Sequence, residues 1–74
     1  MITPAQCRMA RAALTIGVRE LAQKAGVSAM TVTRFENGHS GGYPETLEKL
    51  QRALEAAGVE FTNGDQPGVR MRKH

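Results

Sequence analysis

The sequence predicts a mainly α-helical domain, four short helices in a compact arrangement followed by a C-terminal β-hairpin. Three observations carry that expectation. Apolar residues recur at three- and four-residue spacing as far as Ala57, the pattern of helices with one buried face. Cap and stop residues punctuate it at short intervals: Thr3-Pro4, Ser28, Asn37-Gly38, Pro44 and Gly58. Beyond Gly58 the period changes to alternation, with Asn63-Gly64 and Pro67-Gly68 between two short runs. The 74 residues suffice for one small core but not for a buried catalytic cleft with a separate regulatory part.

The first helix begins in "ITPAQCRMARAAL". Thr3 caps it, Pro4 suits the first helical position, and Gln6 completes a capping box with Thr3. Ile2 and Cys7 have the spacing of a hydrophobic staple. The helix is expected to end at Ala13 or Leu14, with Met9, Ala10, Ala13 and Leu14 as its apolar stripe. In "VRELAQKAG" Val18, Leu21, Ala22 and Ala25 form the second helix, with Gly17 as a weak N-cap and Gly26 as the stop. The third helix lies in "GVSAMTVTRFENG", from the Ser28 cap to Asn37-Gly38. A loop, "HSGGY", separates it from the fourth, "PETLEKLQRALEAAG". There Leu47, Leu50, Leu54 and Ala57 make one face, while Glu45/Lys49 and Glu48/Arg52 are i,i+4 charge pairs on the other. In the last stretch Val59, Phe61, Val69 and Met71 would cap the helical core, with Glu60 sharing the opposite face with Arg70 and Arg72. A frayed tail is the alternative, since a lone hairpin is marginal in water unless it packs on something.

Composition narrows the function. Ten Lys plus Arg against seven Asp plus Glu give a net charge of +3, which favours an anionic partner such as nucleic acid. Much of the excess lies in Arg70, Arg72, Lys73 and His74, either a solvated end or an added contact. Cys7 is the only cysteine, so no internal disulfide forms, and a reducing, cytoplasmic setting is expected. His39, His74 and Cys7 have no metal-ligand spacing, and no cofactor or metal is expected. No segment reads as a membrane span or a signal peptide. Nucleophile–base, paired-carboxylate and phosphate-loop patterns are lacking, so an enzyme is not expected.

The second and third helices meet at Gly26 through a short turn, the helix-turn-helix arrangement. The small residue where the helices cross is Ala22, the residue tolerating positive φ is Gly26, and the apolar plug of the turn is Val27. Leu21, Ala25, Val32 and Phe35 fill the space behind. At about 100° per residue, Met30, Arg34 and Asn37 then point away from Val32 and Phe35. Thr33 lies on the flank and Ala29 at the exposed N-terminal end. Such a face is either plain solvated surface or a recognition helix that lies in the DNA major groove.

"VRELAQKAGVSAMTVTRFENG" resembles the phage lambda repressor and Cro-like helix-turn-helix family, also called the xenobiotic-response-element type. The resemblance runs from Gln6 to Gly58, and "LAQKAGVS", "TV" and "FENG" are its most specific parts. It implies a compact lambda-repressor-like DNA-binding domain over residues 1–58, usually acting as a dimer on a two-fold operator. Residues 59–74, the hairpin and basic tail, become a candidate dimerisation element. By position, the base-reading residues are Ala29, Met30, Thr33 and Arg34, and the phosphate contacts are Ser28, Asn37, His39 and Ser40. Arg34 can bind guanine O6 and N7 together, whereas Ala29 and Met30 offer only apolar contacts such as thymine methyls. The family places the acid matching Glu36 against an arginine of the first helix, here Arg11, which implies a structural ion pair. Two features depart from the pattern. Gly17 and Val18 stand where members have a polar cap followed by Gln, and the hairpin replaces a fifth helix.

The expected function is therefore a sequence-specific transcriptional regulator that binds double-stranded DNA as a homodimer. The alternative is an antitoxin-like module that holds a protein partner and binds DNA secondarily. A tail that orders only on a partner would support the alternative; a folded hairpin would argue against it.

Overall fold

The computed structural model describes residues 2–39, 43–62 and 66–72. Four helices are followed by a two-stranded antiparallel sheet: α1 (Pro4–Leu14), α2 (Val18–Ala25), α3 (Ala29–Glu36), α4 (Pro44–Ala56), β1 (Val59–Thr62) and β2 (Gly68–Met71). Gly41, Gly42 and the Asn63-Gly64 turn signal lie outside the described residues, as do Lys73 and His74. No described helix is long and apolar enough to cross a membrane.

Local chemistry sets the helix ends. The Thr3 hydroxyl accepts from the Gln6 amide at 3.1 Å, and the Gln6 side-chain carbonyl accepts from the Thr3 amide at 2.9 Å. Both halves of the capping box are thus made, which satisfies two donors that a helix start otherwise leaves open. Three helices end alike, with a left-handed residue followed by an amide that reaches back five residues. Gly26 (φ 74) precedes Val27, whose amide bonds the Ala22 carbonyl at 3.0 Å. Gly38 (φ 72) precedes His39, whose amide bonds the Arg34 carbonyl at 3.0 Å.

At the end of α1 the left-handed residue is Thr15 (φ 58), followed by Ile16 bonding the Arg11 carbonyl at 3.1 Å. A β-branched side chain in that conformation is strained, at a cost of about 1–2 kcal/mol. Thr15→Asn, which enters the region more easily, is expected to raise stability by about 0.5–1 kcal/mol, a gain of a few degrees in Tm for a domain this small. A thermal melt with no increase would mean that the Thr15 side chain makes good its own strain.

One core unites all the elements. Leu21 and Ala22 from α2, Val32 and Phe35 from α3, and Leu47, Leu50 and Leu54 from α4 are buried with Ile2, Cys7, Ala10 and Val59. Leu14, Val18, Ala25 and Val27 are half-buried against them. On the outer side of α4, Glu48 and Arg52 stand 3.9 Å apart.

The buried face of α1 is not the expected stripe. Met9 and Ala13 are exposed, whereas Gln6, Cys7 and Ala10 are buried. Gln6, Cys7, Ala10 and Leu14 follow helical spacing too, but counting only hydrocarbon residues passes over the polar Gln6.

Gln6 lies on that face because it holds the hairpin. Its Nε2 donates to the carbonyls of Thr62 and Gly68, each at 3.1 Å. Those two residues are directly opposed at the loop end of the ladder, in a register of Val59↔Met71, Glu60↔Arg70, Phe61↔Val69 and Thr62↔Gly68. One side chain therefore clamps both strands to α1 and caps that helix as well. Val59 is fully buried, and Phe61 and Val69 are half-buried against the core. Met71, expected among the capping residues, is 43 % exposed, because it pairs with Val59 at the open end of a short ladder. Glu60 accepts from Arg70 at 2.6 Å and from Arg72 at 3.1 Å on the outer face. The Arg70 hydrogen bond and charge, followed by those of Arg72, hold the Glu60 carboxyl below its ordinary range against slight desolvation.

Candidate nucleic-acid interface

The outward face of α3 is built from its N-cap forward. The Ser28 hydroxyl accepts from the Thr31 amide at 3.1 Å and lies 2.7 Å from the Thr31 hydroxyl. This fixes the start of the helix and keeps Ser28 exposed, with its hydroxyl proton available outward when Thr31 donates between the two. Met30, Thr33, Arg34 and Asn37 follow on the exposed side, and Met30 is 64 % exposed. Among the described residues no hydrogen bond or ion pair engages the Arg34 guanidinium. An arginine with five free donors and a large exposed methionine beside it serve no evident purpose in the fold.

Ala29 differs from its expected place at the exposed end. It is half-buried and packs against the core, because the first residue of α3 still lies in the angle of the turn. Asn37 caps the helix C-terminus and is exposed, as is His39 just beyond Gly38. Ser40 lies outside the described residues.

Behind this face, α3 is tied to α1 by charge. Arg11 Nη2 donates to Glu36 Oε1 at 2.6 Å and Arg11 Nε to Oε2 at 2.7 Å, a two-point fork on a carboxylate only 5 % exposed. Cys7 Sγ donates to Glu36 Oε2 at 3.2 Å, and Arg8 Nη1 donates to the Glu36 backbone carbonyl. Arg11 Nη1 also reaches the Ile16 carbonyl at 3.3 Å, so the same guanidinium braces the end of α1. A carboxylate in the last turn of a helix opposes the helix dipole, and burial adds to that cost. The two arginines offset both effects at once.

Arg8 and Cys7 were not among the sequence-derived site residues. A signal for Arg8 exists in hindsight: Arg8 and Arg11 are three apart on one helix and can both face an acid opposite. Nothing in the sequence marks Cys7 as a thiol donor to a carboxylate.

These contacts set the pH response. Burial pushes the Glu36 carboxyl up, but hydrogen bonds from Arg11 and Cys7, with the Arg11 and Arg8 charges, hold it below its ordinary 4.5. A depressed folded pKa gives stability that is complete above 4.5 and is lost as pH falls through the lower folded value. Cys7 works in the opposite direction. Burial first, then the Glu36 hydrogen bond and charge, push its thiol from 9.0 up to about 12, against the Arg11 and Arg8 charges.

A raised folded pKa gives stability that is complete below pH 9.0 and lost as pH climbs toward 12. Urea unfolding is expected to lose roughly 1 kcal/mol per pH unit across that window, and Cys7→Ala to flatten the slope. An equal slope in both proteins would refute the coupling. The thiol is also expected to resist alkylation at neutral pH until the chain unfolds.

Two surface grooves among the described residues offer no comparable constellation. A groove of 480 Å³ runs along Pro44, Glu48, Gln51, Arg52 and Glu55, and a smaller one lies among Lys24, Ala53, Ala56 and Ala57. Neither brings a nucleophile to a base among the described residues.

The comparisons with known proteins agree with the helix-turn-helix geometry. A family model described as helix-turn-helix matches residues 8–61, from the second turn of α1 into β1. The search of curated proteins finds no match.

Proposed function

The chain belongs to the lambda repressor-like, xenobiotic-response-element type of helix-turn-helix family and is a DNA-binding regulator; from that premise we propose that it binds a two-fold operator sequence-specifically as a homodimer. In this reading α3 lies in the major groove of each half-site, with half-sites about 10–10.5 bp apart, centre to centre. Arg34 reads a guanine, and Met30 and Thr33 contact neighbouring base edges, with Ala29 turned toward the core behind them. Ser28, Asn37, His39 and Ser40 approach phosphates, which position the helix and carry no sequence information. The basic surplus contributes by releasing counterions from the backbone.

The single observation that carries the reading is the exposed Arg34, unpaired among the described residues, on a helix locked from behind by Arg11 and Glu36. A reading helix must hold its side chains in fixed register, and a two-point ion pair at its far end supplies that rigidity. The hairpin is folded onto α1 and α4, which favours this reading over an antitoxin-like module whose tail orders on a protein partner. The hairpin and basic tail, residues 59–74, remain the proposed contact between two copies.

The test is an unbiased selection of bound duplexes with the native protein and with Arg34→Ala. Winners with two-fold symmetry are expected. Arg34→Ala is expected to relax one position per half-site, at a cost of about 1–3 kcal/mol each. Unchanged selectivity in the variant would refute the assignment of α3, and an asymmetric single site would refute the dimer.

A further inference from the structure

Met30 and Arg34 are four residues apart on α3, both exposed, so their side chains stand one above the other on one face, about 5–6 Å apart at Cβ. That face offers DNA a rigid fork of donors and, adjoining it, an unbranched apolar chain 64 % exposed. Among the described residues, the other large exposed apolar ones, Met9, Tyr43 and Met71, lie on α1, at the cap of α4 and in the hairpin. Ala29 is held half-buried by the core, and its single methyl reaches little beyond the backbone.

The only methyl on the major-groove edge of the four standard bases is the C5-methyl of thymine; the hydrogen-bonding features there are donors and acceptors, and cytosine presents only a small C5–H at the same place. Cytosine lacks that methyl, and 5-methylcytosine carries it at the same place. A flexible thioether chain is suited to pack on such a group and gains nothing from a bare cytosine edge.

We propose that Met30 is a C5-methyl reader, packing on the methyl of a pyrimidine within two base pairs of the guanine held by Arg34. The protein then binds thymine or 5-methylcytosine at that position more tightly than uracil or cytosine. Cytosine methylation of an operator thus becomes an input to binding, with no chemistry performed by the protein. This inference rests on α3 being the DNA-reading helix.

The test starts from the selected operator. The guanine is located as the position that Arg34→Ala relaxes. Duplexes are then compared at the neighbouring pyrimidines in two arms. In the first, uracil replaces thymine, which removes the methyl alone; in the second, 5-methylcytosine replaces cytosine, which adds it alone. Affinity is expected to fall about three- to five-fold per half-site in the first arm and to rise by a similar factor in the second, the scale of burying one methyl or methylene. In Met30→Ala, an exposed position whose change leaves the core intact, both ratios are expected to approach one. Wild-type protein indifferent to the methyl in both arms, or ratios unchanged in Met30→Ala, would overturn the methyl proposal alone. Operator selectivity unchanged in Arg34→Ala would overturn the assignment of α3 and this proposal with it.

Discussion

Replacing Arg11 by methionine is expected to cost about 3–5 kcal/mol at neutral pH, because it leaves the Glu36 carboxylate buried without its charge partner. For a domain of this size that is a large part of the whole stability, so the variant should be mostly unfolded well below the native melting temperature. The sign of the pH dependence identifies the cause. In the native protein Glu36 is held below its ordinary pKa, so its contribution is lost on acidification. In Arg11→Met, burial is no longer outweighed by the fork, and the carboxyl is expected to sit above its unfolded value. Its stability is then complete at low pH and lost as pH rises through the new folded value, the reverse of the native trend.

Adding Glu36→Gln to Arg11→Met should recover most of the loss, since a neutral amide is cheaper to bury than an unpaired charge. Urea unfolding of the native protein, both single variants and the double variant, at about pH 4 and pH 7, forms a complete cycle. Additive single effects would mean that the 2.6 Å contact contributes no coupling.

Gln6→Glu is the second large effect, and here local and tertiary chemistry predict opposite signs. Glu is favoured at the third helical position, both for the capping box and for the helix dipole, so local rules predict a gain of a few tenths of a kcal/mol. The fold predicts a loss. The Gln6 Nε2 that donates to the Thr62 and Gly68 carbonyls would become a carboxylate oxygen facing two acceptors, in a side chain that is fully buried. The cost is about 3 kcal/mol or more, from lost hydrogen bonds and an unpaired buried charge. Gln6→Leu, which keeps the shape without the charge, should cost less. In Gln6→Glu, amide hydrogen exchange should quicken first in the two strands, Val59–Thr62 and Gly68–Met71, with α2 and α3 affected later. A protein as stable as the native one, with the hairpin still protected, would refute the clamp.

Much of this protein can be read from the chain because the signals are local. Thr3, Pro4, Gly26, Ser28, Gly38 and Pro44 act on the backbone within a few residues of themselves, so helix limits follow from residue type and spacing. Leu21, Val32, Phe35, Leu47, Leu50 and Leu54 announce their burial by periodicity, because water drives hydrocarbon inward whatever partner it finds. The outward set of Met30, Thr33, Arg34 and Asn37 is the complement of that pattern. Thr15 escapes because no residue-type rule places a β-branched side chain in a left-handed cap.

What the sequence by itself determined, then, is the number, order and limits of the helices, the core face of α3 and the exposed face opposite it. The family resemblance added the pairing of Arg11 with Glu36. Only the tertiary structure decided which way α1 turns, that Ala29 packs inward, that Met71 stays out, and that Cys7 and Arg8 join the Glu36 cluster. It also gave Gln6 its second task, gripping carbonyls 56 and 62 residues away. The physical reason is range. Propensity, capping and periodicity act through neighbours along the chain, whereas a buried polar side chain is placed by whichever donor or acceptor the folded chain brings to it.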